Sequence, residues 1–284
     1  MTIVSTARLV TEAKRAGRAV AALNVITLEH AEAVARAAST AGTEVIMQIS
    51  ENAIRYHDGE LEPLAAAVHA VADRATAPIA LHLDHVTGPE LFDRALHSVF
   101  SSIMFDAAAL AYADNVAHTA RAVRAAHDAG LWLEAELGYV GGKPDAPRSA
   151  HLPGVRTDPD EAEEFVRATG VDLLAVAVGS THAMTERTAR LDQARIAELA
   201  HRLPVPLVLH GSSGVAPDEL RQAVRAGITK VNIGTALNVA MTDAVRSTLA
   251  TEPELVDPRR YLAPARTAMS EAVHGLLTLL TRNG

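Results

Sequence analysis

The sequence of 284 residues contains no cysteine and few aromatic residues, and both absences restrict its function. Without cysteine there is no disulfide, no thiolate ligand for zinc and no cysteine nucleophile, so histidine and the carboxylates remain as the metal ligands to consider. Aromatic residues make up 3% of the chain, and the formal net charge of -8 is spread over mixed acidic and basic segments. Neither a basic stripe nor a stacking surface for nucleic acid is present, so we expect no nucleic-acid partner.

Long hydrophobic runs are also missing. Hydrophobic residues make up 49% of the chain, but they form blocks of strand or helix length, far short of the roughly 18–20 residues that a membrane span needs. Arg8 interrupts the only apolar start, and no small-residue cleavage site follows it. We therefore expect a cytoplasmic protein with no membrane partner.

Eight apolar blocks recur along the chain, and a longer segment with helical spacing follows each of them. Eight repeats of strand and helix predict an α/β fold, a single (β/α)8 or TIM barrel over residues 1–284. The blocks are AVAALNV to Val25, EVIMQIS to Ser50, IALHLDH to His85, SIMFD to Asp106, LWLEAELG to Gly138, LLAVAVG to Gly179, LVLHG to Gly211 and KVNIGT to Thr235. An extra N-terminal helix near residues 5–16 and a C-terminal helical extension near 264–280 are predicted to flank the barrel.

Polar residues stand at the carboxyl end of almost every predicted strand, where the active site of such a barrel is built. They are Asn24, Ser50, Asp84, His85, Asp106, Glu134, Glu136, His182, His210, Ser213, Asn232 and Thr235. One such histidine alone is more often a hydrogen-bonded or exposed side chain. Three imidazoles on one rim, however, fit tetrahedral zinc with an open fourth position, so their joint placement favours a metal site.

Asp84 and His85 are adjacent in LHLDH, so on a regular strand their side chains would point to opposite faces. We therefore expect the pair at the very end of the strand, where the chain begins to turn. There His85 binds the metal, and Asp84 either faces the substrate as a proton donor or acceptor or caps the following helix.

Three further carboxylates lie on the predicted rim. Glu134 and Glu136 share a strand face in EAELG; both could contact a metal, or Glu134 could orient a histidine ligand. Asp106 in MFDA fits a second metal position and a helix N-cap equally well.

Small residues follow the last two strands in HGSSG and NIGT. Barrels commonly hold a phosphate at this place, on backbone N–H groups and helix N-termini. Tight turns need the same residues, so each run alone is weak evidence, but a phosphate site is the favoured interpretation.

Over nearly its whole length the sequence resembles the class II fructose-bisphosphate and tagatose-bisphosphate aldolases. The matching segments are LHLDH, SIMFDA, EAELG, AVAVGSTH, LVLHGSSG, KVNIGT and DPRRYLAPAR, in family order. The resemblance implies a homodimer or homotetramer that uses Zn2+ and a monovalent cation to cleave a sugar phosphate in carbohydrate metabolism, as in glycolysis. His85, His182 and His210 would be the zinc ligands, and Asp84 the acid/base at the C4 hydroxyl.

The resemblance also implies roles for other residues. Asp106 and Glu136 match positions that hold a displaced or second zinc in some members, and Arg259 matches an arginine that reaches the second phosphate, often across a subunit boundary. The segments that bind the dihydroxyacetone-phosphate part match Gly211, Ser212, Ser213, Asn232, Ile233, Gly234 and Thr235. Asn24, Ser50 and Gly179, at or near the ends of other predicted strands, are further predicted substrate-binding residues.

The long connection over residues 139–157 departs from the family. Connections of this length are usually functional lids or disordered segments, and we expect a lid that orders over substrate and excludes water. Relatives carry acidic residues after the Gly-Gly pair, one of which handles the proton on the nucleophilic carbon, whereas Lys143 and Pro144 stand here. Asp145 and His151 are the candidate replacements. After the second zinc ligand, Ala183 replaces the usual glycine, which contributes to substrate and monovalent-cation binding.

Other functions remain as alternatives. A Schiff-base aldolase is disfavoured, because Lys14 lies in the extra helix, Lys143 in the long connection and Lys230 at the opening end of strand eight, away from the rim. A metal-dependent hydrolase would leave the phosphate segments unexplained, and a non-catalytic family member would fit the missing glutamate. The missing glutamate and Ala183 suggest a substrate other than that of most family members. Fructose 1,6-bisphosphate, tagatose 1,6-bisphosphate and an inositol-pathway phosphoketo acid all remain open as substrates.

Overall fold

Eight parallel strands close into a barrel in a computed structural model that describes residues 2–138, 140 and 156–281. Neighbouring strands pair in chain order, and β8 pairs with β1 to complete the ring. The strands are β1 Val20–Asn24, β2 Val45–Ser50, β3 Ile79–Val86, β4 Ser102–Phe105, β5 Trp132–Leu137, β6 Leu173–Val176, β7 Leu207–Leu209 and β8 Ile228–Ile233. The predicted (β/α)8 barrel is confirmed.

Helices follow the strands and surround the barrel. They are α1 Thr6–Arg15, α2 Leu28–Ala41, α3 Glu51–Tyr56, α4 Leu61–Asp73, α5 Pro89–Ala95, α6 Tyr112–Asp128, α7 Pro159–Thr169, α8 Gln193–Arg202, α9 Pro217–Ala226, α10 Thr235–Thr251 and α11 Pro258–Thr281. None of the helices in the described part of the chain is long and apolar enough to cross a membrane.

Local sequence signals set the bounds of α7. The Asp158 side chain accepts hydrogen bonds from the N–H groups of Asp160 and Glu161, and Pro159 occupies the first helical position. Gly170 then ends the helix with a φ of 73°, a left-handed conformation that costs glycine little. Capping aspartate, first-turn proline and terminal glycine each satisfy or avoid an unpaired backbone group, which is why sequence alone locates this helix.

The amino-terminal end of the barrel is closed by α1. Leu9, Val10 and Ala13 are buried against inward-facing residues of the strands, among them Val20 and Ile46. Thr6 and Ser101 are joined by hydrogen bonds from the Thr6 N–H (2.9 Å) and between the two hydroxyls (3.0 Å). This end is therefore filled, and the carboxyl ends of the strands form the open end.

Three sequence-based boundaries were wrong. The C-terminal helix begins at Pro258 and not near residue 264, and Pro264 lies inside it. Proline is favoured at the first helical position, and two prolines offered that signal in this segment. The strands β6 and β7 also end before Gly179 and Gly211, so His182 and His210 lie in the connections beyond them.

Candidate active site

A cavity of about 840 Å³ lies at the carboxyl ends of the strands. Among the described residues, those that line it lie on or after every strand except β5 and include Asn24, Ser50, Asp84, His85, Asp106, His182, Gly211, Ser212, Ser213, Asn232, Gly234 and Thr235. Most residues predicted for the site are therefore brought together around one space.

Four of these predicted residues form a compact group beside the cavity. His85, Glu136, His182 and His210 each offer a ligand atom, and these atoms all lie within 4.8 Å of one another. The His85 and His182 rings line the cavity, while His210 and Glu136 are buried beneath them. Three imidazoles and a carboxylate form a donor set that suits zinc or another first-row divalent metal.

An irregularity in β3 directs both Asp84 and His85 into the cavity although they are neighbours in sequence. The pairing of β3 with β4 shifts register between Leu83 and Val86, and His85 has a φ of 54°. Beyond this point the strand continues for only one residue, Val86. The turn predicted from the sequence for this pair is thus present.

Asp106 lies against His85 and is not among the four clustered residues. Its Oδ2 is 2.8 Å from His85 Nδ1, and its Oδ1 accepts a hydrogen bond from the N–H of Ala108 (3.2 Å). A proton on Nδ1 leaves the lone pair on Nε2, the nitrogen that a metal then requires. This placement favours Asp106 as the group that orients His85. It does not cap α6, which begins at Tyr112.

His210 is oriented by a chain of buried groups inside the barrel. Its Nε2 is 2.9 Å from Glu134 Oε1, and Lys230 Nζ donates to Glu134 Oε2 at 2.7 Å. On the other side of the ring, Nδ1 lies 3.4 Å from Glu136 Oε2 and has no hydrogen bond within the described residues. With its proton on Nε2, His210 presents the Nδ1 lone pair to the other three residues of the group.

The prediction that Lys230 lies away from the site is therefore wrong, because Glu134 links it to His210. β8 has alternating faces, and Lys230 shares the inward face with Asn232. The period of two was the available signal, because an inward-facing lysine must be paired with a carboxylate. The partner, Glu134, lies on β5 on the far side of the barrel, and only the closed ring brings the two together.

Charges inside the barrel shift the pKa values of the site. Burial lowers the pKa of His210, but the neighbouring Glu134 and Glu136 carboxylates outweigh burial and raise it to about 9. Burial raises the pKa of Glu134, but the Lys230 ammonium and the His210 hydrogen bond bring it down to about 2. A metal ion at this group would take the place of the His210 proton.

Asp84 lies beside the metal group and is held by two amides. Gln48 Nε2 donates to Asp84 Oδ2 at 3.1 Å, and Asn232 Nδ2 donates to Oδ1 at 3.4 Å. Burial alone would raise the pKa of Asp84, but the neighbouring His85 and His82 hold it well below its ordinary value. Asp84 is thus a carboxylate at neutral pH and can accept a proton.

Gln48 was not predicted as a site residue. It also donates to Asn24 Oδ1 at 2.7 Å and so links the ends of β1, β2 and β3. Gln48 and Ser50 share one face of β2, and this alternation would have revealed Gln48 as an inward polar residue.

The connections after β6, β7 and β8 approach one another closely. Gly211 has a φ of 66°, and a Cβ at this position would lie 2.6 Å from the backbone of Thr181. Ser212 Oγ donates to the carbonyl of Asn232 at 2.5 Å, and Ser213 Oγ accepts from the N–H of Ala236 at 3.2 Å. The amino-terminal turn of α10 thereby opens on the cavity, a position suited to an anion.

Other predicted residues lie elsewhere. Gly179 and Ile233 do not line the cavity. Arg259 lies at the start of α11 with 88% of its side chain exposed and Nη2 2.8 Å from Asp257 Oδ2, outside the cavity of its own chain. Asp145 and His151 fall outside the described residues. Ala183 lines the cavity with a φ of 57°, a conformation that favours glycine.

Comparison with known proteins identifies relatives over the whole chain. The family model for fructose-bisphosphate aldolase class-II matches residues 4–284. A Bacillus subtilis protein named "Probable fructose-bisphosphate aldolase" is 38% identical over 277 residues, which cover 97% of this chain and 96% of that protein. Fructose-bisphosphate aldolase of Staphylococcus aureus is 36% identical over 276 residues, with the same coverage. The crystal structure of the YdjI aldolase from Escherichia coli K12 matches with a TM-score of 0.84 and 29% identity, covering 99% of this chain and 98% of that one.

Proposed function

The chain belongs to the class II fructose-bisphosphate aldolase family, and from this premise we propose that it uses zinc to cleave and form the C3–C4 bond of a ketose 1,6-bisphosphate. As a member it is an aldolase, an enzyme of the lyase class. The proposed substrates are of the fructose or tagatose type, and the products are dihydroxyacetone phosphate and an aldehyde phosphate. The compact group of His85, Glu136, His182 and His210 beside the cavity is the observation that carries the proposal.

The donor set of this group fits zinc. His210 Nδ1, buried and without a hydrogen bond among the described residues, is held toward the group by Glu134. Asp106 orients His85 in the same way, but it contacts Nδ1 of the ring and so leaves Nε2 for the metal. When bound, zinc supplies a Lewis acid that stabilises negative charge on the carbonyl oxygen of the ketose as the C3–C4 bond breaks.

Asp84 moves the proton of the reaction. In cleavage its carboxylate accepts the proton of the C4 hydroxyl, and in condensation it returns that proton to the aldehyde oxygen. Gln48 and Asn232 fix both carboxylate oxygens with their amide groups, so the carboxylate does not have to reorganise during proton transfer.

The phosphate of the dihydroxyacetone half binds at residues 211–213 and at the amino-terminal turn of α10. Gly211 brings the backbone close, and Ser212 and Ser213 hold the two connections together. Backbone N–H groups at a helix N-terminus bind phosphate through hydrogen bonds and the helix dipole.

Residues 139–157 and the subunit arrangement complete the proposal. We expect this connection to close over substrate and Asp145 or His151 to carry the proton at the nucleophilic carbon; their alanine variants should then exchange the C3 proton of dihydroxyacetone phosphate more slowly. The active unit is at least a dimer in the cytoplasm, a homodimer or homotetramer, with Arg259 reaching the second phosphate of a neighbouring subunit's substrate. A monovalent cation near Ala183 is a further part of the proposal.

A substrate panel with and without zinc tests this function. Fructose 1,6-bisphosphate or tagatose 1,6-bisphosphate should yield dihydroxyacetone phosphate, activity should vanish on chelation, and zinc should restore it. Cleavage of the phosphoketo acid alone would place the protein among the related aldolases. Phosphate release without carbon–carbon cleavage would indicate a hydrolase, and no turnover of any compound would indicate a non-catalytic member.

A further inference from the structure

The described residues that line the cavity include few positive side chains for a substrate with two phosphate groups. Among the described residues that line it, Arg55 is the only lysine or arginine, whereas Glu51, Asp84 and Asp106 are acidic. The connections after β7 and β8 offer one phosphate site built from backbone groups. The anion at the other end of the substrate requires a cation of its own, because a phosphate removed from water must be paired.

Arg55 is held over the cavity by a fixed partner. Its guanidinium pairs with the Glu51 carboxylate one helical turn earlier on α3, and 63% of the Arg55 side chain remains exposed against 11% for Glu51. Glu51 Oε2 in turn accepts hydrogen bonds from the Thr87 N–H (2.5 Å) and hydroxyl (2.9 Å). Glu51 therefore anchors the arginine to the connection after β3.

The guanidinium keeps donors for a ligand. Its contacts in the described structure are to Glu51 through Nη2 and to Asn52 Oδ1 through Nη1 at 3.5 Å. A guanidinium has five N–H donors in a planar fork, so these contacts leave donors for a phosphate or carboxylate.

The position of α3 assigns Arg55 to the aldehyde half of the substrate. Ser50, whose Oγ caps α3 at the N–H of Ala53 (3.2 Å), is the register partner of Asp84 on the neighbouring strand. Asp84 is the proposed partner of the C4 hydroxyl, where the aldehyde half begins. Arg55 lies five residues beyond Ser50, about 7.5 Å along the helix, a reach comparable with a three-carbon aldehyde and its terminal group.

We propose that Arg55 binds the anionic end group of the aldehyde half and selects aldehydes that carry phosphate or carboxylate at that end. This proposal rests on the aldolase function proposed above. It differs from the expectation for Arg259, which lies outside the cavity of its own chain and pairs with Asp257. In this arrangement one subunit supplies both the acid/base group and the cation for the same half of the substrate.

Condensation of dihydroxyacetone phosphate with paired aldehydes tests the proposal. For Arg55→Met we expect the KM for glyceraldehyde 3-phosphate to rise about 10- to 100-fold, the range for a lost charge-assisted hydrogen bond. The kcat/KM for uncharged glyceraldehyde should stay within about twofold, because that aldehyde offers the guanidinium no anion. Arg55→Lys should fall between wild type and Arg55→Met, since it keeps the charge but not the fork.

The matched control is Arg8→Met. Arg8 forms an i,i+4 pair with Glu12 at 3.0 Å and is about half exposed, but it lies on α1 at the closed end of the barrel. The Arg8→Met variant should have unchanged kinetic constants for both aldehydes. A further aldehyde, with a carboxylate end group, distinguishes the two anions. If the KM of Arg55→Met rises only for the phosphate compound, Arg55 binds phosphate specifically. If the KM rises for both compounds, Arg55 accepts either anion.

Proton exchange at C3 of dihydroxyacetone phosphate separates the possible failures. This exchange uses no aldehyde, so Arg55→Met should exchange at the wild-type rate if its fold is intact. Absence of exchange in the wild-type enzyme would contradict the aldolase function itself. An unchanged KM for glyceraldehyde 3-phosphate in Arg55→Met, an equal loss with glyceraldehyde, or a selective loss in Arg259→Met alone would each overturn the role of Arg55.

Discussion

Two groups of histidine and carboxylate side chains lie one above the other in the barrel, and they differ in what balances their charge. The upper group is His85, Glu136, His182 and His210, and the lower group is His82, Asp84 and Glu134; in each group the candidate ligand atoms lie within 4.8 Å of one another. The upper group opens on the cavity, whereas His82 and Glu134 are fully buried.

The lower group receives its positive charge from the protein. Lys230 Nζ lies 2.7 Å from Glu134 Oε2, and His82 Nδ1 bonds the Ser102 hydroxyl at 2.7 Å. Burial lowers the pKa of His82, and the Lys230 charge lowers it further, so this ring is neutral. Similar ligand types therefore have different functions: a side-chain ammonium neutralises the lower group, and the upper group has its imidazole nitrogens arranged for a metal ion.

Loss of a ligand in the upper group should have the largest effect. His182→Ala should abolish bound zinc and aldol cleavage, because it removes one of the three imidazole ligands of the proposed site. His82→Gln is the matched change in the lower group and should keep zinc. Elemental analysis of the purified variants measures both. Equal zinc loss in the two variants would show that the groups are not functionally distinct.

Asp84 belongs to the lower group but lines the cavity. A change at Asp84 therefore tests whether a member of the lower group acts on the substrate without holding the metal. Asp84→Asn keeps the shape and removes the charge, and we expect turnover to fall roughly 10²- to 10⁴-fold with zinc retained, the usual contribution of a general acid–base group. The measurements are the cleavage rate and the zinc content of the same preparation. If zinc is lost in parallel, Asp84 holds the metal site together and does not transfer the proton.

Lys230→Met tests the ammonium of the lower group. The variant buries the Glu134 carboxylate without its cation, and breaking a buried pair in this way costs about 3–5 kcal/mol of unfolding free energy. Urea unfolding of the metal-free protein measures the cost. Adding Glu134→Gln should recover part of it, because the amide carries no charge.

The same pair predicts a pH dependence. Glu134 has a pKa of about 2 against an ordinary 4.5, so its contribution to stability is present above about pH 4.5 and is lost as the pH falls through 2. In Lys230→Met this acid-sensitive contribution should shrink. Identical acid unfolding profiles for the two proteins would argue against the ion pair as its source.

Asp106→Asn should have the smallest effect. Asp106 contacts His85 Nδ1 but is not one of the four clustered residues, so the variant should weaken zinc binding about 10- to 100-fold, as expected when the partner of a ligand histidine is altered. Competition with a chelator of known affinity measures this change. Complete zinc loss would make Asp106 a ligand itself, as in the second-zinc interpretation from the sequence.

The rim could be predicted from sequence because local patterns specify it. Apolar blocks of strand length alternated with helical segments, and the ends of these blocks had to meet once the sheet closed. His85, His182 and His210 were therefore placed together before any distance was known, and the bounds of α7 followed from its own caps. The family matches support the same function from independent comparisons.

Only the tertiary structure decided how these residues are held. Glu134 and Lys230 are 96 residues apart in sequence and Gln48 and Asp84 are 36 apart, so no spacing rule joins them. The register shift in β3, the pairing of Asp106 with His85 and the position of Arg55 over the cavity also depend on neighbours from other strands. Local rules describe only the few residues next to a position in the chain, whereas inside a closed barrel each buried charge must find its partner across the ring, because water cannot reach it.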